Sequence, residues 1–198
     1  MRPRDPYVAW VVASVVAGTL VAFINIAGSP LLSVTILALA PALILSPVVA
    51  MFDGNPVLWI VTTLLGVGIT VVTTYVTFVV LFVGLSAVLP TLWPGATSAP
   101  LWTLPVVAAL ACFVGAVPLG VLQRYALPAV RRSWSFPLAV MIGAAALSPV
   151  VLAIVSAPVD RTPLLGTLGG LGYGLATAVA LGRSHLRNAQ SSSAVLQR

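Results

Sequence analysis

Lysine and glutamate occur nowhere in this chain, and its acids are Asp5, Asp53 and Asp160. Without lysine no Schiff base can form, which excludes retinal and pyridoxal cofactors. The one cysteine, Cys112, cannot make an internal disulfide; together with the one histidine, His185, it cannot complete a tetrahedral metal site. A haem held between two histidines is excluded on the same grounds. Charge of either sign is scarce. Of 198 residues 6% are charged and 60% hydrophobic, with a mean hydropathy of +1.15. Soluble domains carry roughly 25% charged residues because their surfaces face water. So few charges cannot cover a soluble globule of this length, and lipid is the expected solvent for most of the surface. The net charge of +6 comes from arginines set singly or in pairs between apolar runs. That is a topology pattern, not a clustered phosphate-binding footprint, and no nucleic-acid partner is expected.

Apolar runs of about 20 residues are needed to cross a bilayer as a helix. They lie at 7–27, 31–52, 57–89, 101–122, 136–157 and 163–181. Turn-formers separate several of them: Gly28-Ser29-Pro30, Asp53-Gly54-Asn55-Pro56, Pro94-Gly95 and Arg161-Thr162-Pro163. Lipid offers no partners for free backbone groups, and the alternation of a barrel is absent, so each run reads as a helix. The expected fold is all-α: a polytopic transmembrane bundle of about six helices in one domain, 1–187, with a polar tail at 188–198. The first run follows the basic Met1-Arg2-Pro3-Arg4 start. It is longer than the roughly 7–15-residue core of a signal peptide and reads as a span. The third run would extend about 50 Å as a straight helix. It either tilts or breaks at Gly66-Val67-Gly68.

Arginine placement sets the orientation. Arg2 and Arg4 precede the first run, Arg124, Arg131 and Arg132 join the fourth to the fifth, and Arg183, Arg187 and Arg198 follow the sixth. With six spans all of these fall on one side and Arg161 alone on the other. The positive-inside bias then makes both termini cytoplasmic in a plasma (inner) membrane. Trp10, Trp59, Trp93, Trp102 and Trp134 lie near run ends and are expected in the headgroup layer.

Two helix faces stand out. Gly166, Gly170, Gly174, Ala178 and Gly182 recur every four residues, a nearly bare face that lets another backbone approach closely. Ala9, Ala13 and Ala17 form a weaker version in the first run. In the third run Thr62, Gly66, Thr70, Thr73 and Thr77 make a polar stripe. A threonine hydroxyl can bond its own preceding carbonyl, so the stripe suits a helix interface. It also suits the wall of a solute path, formed by Thr70, Thr73 and Thr77 with Tyr75 and Asn25. No ionisable residue falls inside a run, which argues against an ion-coupled pump. Cys112 reads as an inert core thiol and His185 as a solvated interfacial residue.

Leu45-Ser46-Pro47-Val48-Val49 recurs as Leu147-Ser148-Pro149-Val150-Val151. Each copy is followed by an Asp-x-x-Pro-x-Leu turn, at Asp53 and at Asp160. Three spans apart, the copies would lie in opposite orientations, as in an inverted three-plus-three repeat. The functional expectation is a non-enzymatic, cofactor-free membrane protein of transport type, binding or passing a small neutral or amphiphilic solute. The alternative is an accessory or scaffold subunit of a larger membrane complex. Expected partners are membrane lipids and other membrane subunits or further copies of the chain. The topology has a direct test in a Cys112→Ala background. Ser133→Cys and Ser191→Cys are expected to label from the cytoplasm and Thr97→Cys from outside; labelling of Ser133→Cys from outside would overturn the orientation.

Overall fold

The computed structural model describes residues 5–24, 30–92, 103–148 and 162–196. Helix α1, Pro6–Ile24, starts where the residue types require. The Asp5 side chain accepts the Tyr7 N–H at 2.9 Å, and Pro6 takes the first helical position, where its missing N–H costs nothing. The same device opens α3, Pro56–Leu92: the Asn55 side chain accepts the Leu58 N–H at 3.0 Å, just ahead of Pro56. Between them α2, Pro30–Ala50, runs into a tight turn that ends with Asp53 at φ 55°. The Gly54 N–H reaches back to the Val49 carbonyl at 3.0 Å, a left-handed cap of the kind aspartate tolerates better than most residues.

α3 is one unbroken helix about 55 Å long, continuous through Gly66-Val67-Gly68. The fourth run is the one that breaks. It forms α4, Thr103–Gly115, and α5, Val117–Gln123, with a turn at Ala116. Pro118 supplies no N–H and its ring crowds the carbonyl of Val114, which ends the first helix. Two 3₁₀ turns, Arg124–Ala126 and Pro128–Val130, lead to α6, Ser135–Ala146. The last helix, α7, spans Thr162–Leu196 and continues through most of the stretch expected as a tail. No strand occurs among the described residues.

Among the described residues three helical stretches are long and apolar enough to cross a membrane: Pro56–Val88, Thr103–Ala126 and Leu164–Arg187. Pro6–Ala22, Ala38–Ala50 and Ser135–Ala146 are shorter apolar helices. The rods form a closed ring in chain order. α1 packs on α2, α2 on α3, α3 on the α4–α5 pair, that pair on α6, α6 on α7, and α7 back on α1.

The end of the ring that carries Arg124, Arg131, Arg132, Arg183 and Arg187 is closed by aromatic rings. Trp10 meets Trp59 edge-on at 5.4 Å, Phe52 at 5.8 Å and Phe136 at 6.5 Å. Phe52 also meets Tyr7 edge-on at 5.3 Å and His185 at a tilt at 5.9 Å. This corrects the headgroup expectation for two tryptophans: Trp10 and Trp59 are 0% exposed, whereas Trp134 is 66% exposed. Position near a run end does not reveal which way an indole points, and these two point inward to fill the ring. His185, half-buried, lays its ring against the same cluster. Trp93 and Trp102 lie outside the described residues.

The bare face of α7 meets α1. A Cβ added to Gly170 would lie against the Ser14 carbonyl and 3.0 Å from the Val15 Cα. One on Gly174 would sit 2.9 Å from the Ser14 Cβ, and one on Gly166 against Ala22 and Gly18. Across the contact, a Cβ on Gly18 would come within 2.9 Å of the Gly170 Cα. The α1 face that does this is therefore Ser14, Gly18 and Ala22, displaced from the Ala9-Ala13-Ala17 pattern. Ala178 packs half-buried against the aromatic core. At Gly182 the approach relaxes, with the Tyr7 ring 3.8 Å from the added atom. Gly170→Leu and Gly174→Leu are each expected to cost about 1–3 kcal/mol or more, seen as a clear loss of thermal stability in detergent. Leu175→Ile, on the half-exposed side, is expected to change little. A neutral Gly170→Leu would break this account of the α1–α7 contact.

Candidate functional site

Gln123, the last residue of α5, is 1% exposed. A buried amide costs free energy unless its donors and acceptors are met. Its Nε2 donates to Thr63 Oγ1 of α3 at 3.1 Å, and its Oε1 accepts the Tyr173 hydroxyl of α7 at 3.0 Å. Tyr173 extends the connection: its backbone carbonyl accepts the Thr177 hydroxyl at 2.7 Å, and Thr177 Oγ1 accepts the Trp10 indole N–H at 2.8 Å. One hydrogen-bonded seam thus joins α1, α7, α5 and α3 through the middle of the ring. Room for Tyr173 comes from α6, where a Cβ on Gly143 would lie 2.7 Å from the Tyr173 Cα.

The α3 side of this seam is incompletely paired. Trp59, Thr63, Gly66, Thr70 and Thr73 follow one another at four- and three-residue spacing and so share a helix face. Among the described residues Trp59 Nε1 and Thr70 Oγ1 are buried with no hydrogen-bond partner, as are Arg124 Nε and His185 Nε2 away from this face. Thr73 is occupied. Its hydroxyl lies 2.9 Å from the Gly115 carbonyl, and 3.0 and 3.1 Å from the carbonyls of Ile69 and Thr70. With a single proton it can serve one of these at a time, and Gly115 is the carbonyl at the α4–α5 break. Thr62 bonds back to the Leu58 carbonyl at 2.7 Å, the local habit of threonine in helices.

The five residues expected to line a solute path do not gather around one space. Thr70, Thr73 and Thr77 share the inner side of α3, each partly buried. Tyr75 is 70% exposed on the other side of the helix. Asn25 lies outside the described residues. Gln123, Tyr173, Thr63 and Trp59 were not singled out by sequence. A signal for the first existed: Gln123 is the only glutamine ahead of the C-terminal tail. It was masked by its place beside Arg124, where an amide reads as headgroup-level. Tyr173 was hidden among the glycines of its own stripe.

The groups in the seam are amide, hydroxyl, phenol and indole. They can exchange hydrogen bonds with a neutral molecule and hold no charge for an ion. Among the described residues no three of His, Cys, Asp or Glu come together as a metal site. No protein-family model, curated protein or solved structure matches this chain.

The seam makes a stability prediction. Tyr173→Phe strips the donor from Gln123 Oε1 and is expected to cost about 1–3 kcal/mol, the desolvation of an unmet buried acceptor. Gln123→Leu is expected to cost more, because it abandons both Thr63 and Tyr173. Thermal unfolding in detergent reads both, at roughly 2–4 °C per kcal/mol for a chain of this length. Wild-type stability in both variants would mean that the seam is solvated and not closed.

Proposed function

We propose that this chain is a non-enzymatic, multi-pass protein of the plasma (inner) membrane that binds or passes a small neutral or amphiphilic solute. In this reading it has six spans and both termini are cytoplasmic. The observation that carries the proposal is the unmet pair on the inner face of α3, Trp59 Nε1 and Thr70 Oγ1. They flank the paired Thr63–Gln123–Tyr173 groups. An orphaned buried polar group costs about 1–3 kcal/mol. A chain that keeps two on one face has a use for a transient partner with a hydroxyl, carbonyl or amide of its own. The absence of charge along this face suits a neutral solute.

The ring of rods supports six spans, and the inverted repeat rests on the paired Leu-Ser-Pro-Val-Val segments. The Leu-Ser-Pro-Val-Val copy in α2 lies within the described residues; Pro149, Val150 and Val151 of the other copy do not.

Liposome flux separates the roles of the threonines. Thr70→Val keeps the side-chain shape and removes a hydroxyl that no protein group uses. It is expected to abolish binding or flux of small neutral solutes with little change in stability. Thr73→Val, which frees the Gly115 carbonyl, is expected to lower stability. A Thr70→Val protein with wild-type flux, or no flux and no ligand-induced stabilisation across a solute panel, would sink the transport reading.

One observation favours the alternative of an accessory subunit. Beyond Val72 the outer half of α3 is exposed around much of its circumference, at Val76, Val80, Val83, Gly84 and Val88 among others. Ordinary lipid contact covers a single side of a packed helix, so a partner helix would find room here. Co-purification of a second membrane protein that is lost on Val80→Arg would move the assignment to that class.

A further inference from the structure

We infer that the groove between α6 and α7 is a binding site for one anionic phospholipid in the cytoplasmic leaflet, an inference that rests on the membrane orientation proposed above. The groove has a volume of about 370 Å³. Its floor is small and buried, formed by Ala139 and Ala180 with the half-buried Ala176. Its rims are branched and half exposed: Leu138 and Ile142 on α6, Leu175 and Val179 on α7. From Leu175 to Arg183 it runs about 12 Å along the helix axis. An alanine floor between branched rims is a trough for a hydrocarbon chain.

Polarity is confined to one end, where Ser135 and the exposed Arg183 complete the lining. That end is built for an anion. Ser135 Oγ lies 2.6 Å from Ser133 Oγ and 3.5 Å from Ser184 Oγ, giving a cluster of three hydroxyls. Ser135 also marks the N-terminus of α6; its N–H is met by Ser133 Oγ at 3.1 Å and the Ser184 hydroxyl donates to the Ala180 carbonyl at 2.9 Å, so the attraction for an anion comes from Arg183 and the positive end of the helix dipole. The exposed Trp134 ring carries the Arg124 guanidinium at 4.8 Å, a second cation beside the helix start. Arg183 forms no ion pair among the described residues. A cation and a hydroxyl cluster at the arginine-bearing end of an apolar trough match an anionic phosphate above an acyl chain. A zwitterionic lipid would bring its own ammonium to a place already positive.

The test uses the full chain purified in neutral detergent, with phosphatidylglycerol or phosphatidylcholine of identical chains added to the micelles. Near-saturating phosphatidylglycerol is expected to raise the Tm by about 5 °C, and phosphatidylcholine to leave it nearly unchanged. Arg183→Gln, an exposed substitution, is expected to abolish the difference between the two lipids, while Arg132→Gln retains it. Ala176→Phe, which fills the trough, is expected to abolish the stabilisation as well, its lipid-free Tm reporting whether it folds. Equal stabilisation by both lipids, a full response in Arg183→Gln, or a full response to glycerol phosphate without acyl chains would each overturn the site. Solute flux plays no part in this readout, so failure of the transport reading leaves the lipid site standing. A chain that elutes free of detergent overturns both.

Discussion

The indole N–H of Trp10 has to find an acceptor, because nothing around it is wet and an unmet donor in such a core is costly. It finds Thr177, which lies 167 residues away in sequence and 2.8 Å away in space. That bond requires the first and last helices to lie against each other, and the glycines supply the means. With Gly18 facing Gly170, and Ser14 facing Gly174, the two backbones come close enough for a side chain on one helix to reach the other. In lipid, apolar contact between helices gains little over contact with acyl chains, so close packing and interhelical hydrogen bonds must supply the specificity. Once α1 and α7 are joined the ring is closed, and Trp59, Phe52 and Phe136 pack around the fixed Trp10 ring. The aromatic closure of the arginine-bearing end is a consequence of that one placement.

From Thr177 the same logic propagates, and it stops unevenly. Tyr173 is fixed by its neighbours on α7 and by the close approach of α6 at Gly143. It presents its hydroxyl to Gln123, which hands on to Thr63. On the α7 side each polar group named in this chain has a partner. On the α3 side Trp59 and Thr70 do not. A seam that served only to hold the ring together would gain by being paired throughout, since a half-met polar network is worse than an apolar one. The uneven pairing is the observation on which the proposed solute site rests.

Much of the architecture could be read from residues alone. Helical, membrane-like character follows from composition. Two helix starts follow from Asp5-Pro6 and Asn55-Pro56, where an Asx side chain and a proline act on adjacent backbone groups. The glycine stripe was visible because its spacing is local, but its partner was not: nothing in the sequence distinguishes Ser14-Gly18-Ala22 from Ala9-Ala13-Ala17 as the opposing face. Of the two readings open for the third run the unbroken helix holds, and the break that does occur, in the fourth run, was not anticipated. Gly66 and Gly68 are tolerated inside α3, whereas Pro118 removes a donor outright and ends α4. Tyr75 was drawn into the stripe by proximity, yet it stands two residues from both Thr73 and Thr77. In a helix that is roughly 200° around the axis. Its exposure on the far side was implicit in the spacing.

The 3₁₀ turn that follows α5 lets one short stretch serve the core and the surface at once. Gln123 and Arg124 are adjacent, yet the amide is sealed in the seam while the guanidinium lies over the exposed Trp134. A straight helix through this region would carry its register unchanged from Cys112 onward. At the Ala116 turn the Ala116 and Gly120 N–H groups still bond the Cys112 and Ala116 carbonyls, each at 3.1 Å, so the two helices stay nearly in step. The change to 3₁₀ winding at Arg124 then turns the next side chain by about 120° where an α-helix would turn it by 100°. Gly115 is the carbonyl at the break, and Thr73 donates to it from α3. The threonine next along the face toward the seam, Thr70, is the one left without a partner. Thr73 and Thr70 thus sit side by side, one bonded at the helix break and the other unmet. The unmet polar face and the helix break are in this sense neighbours.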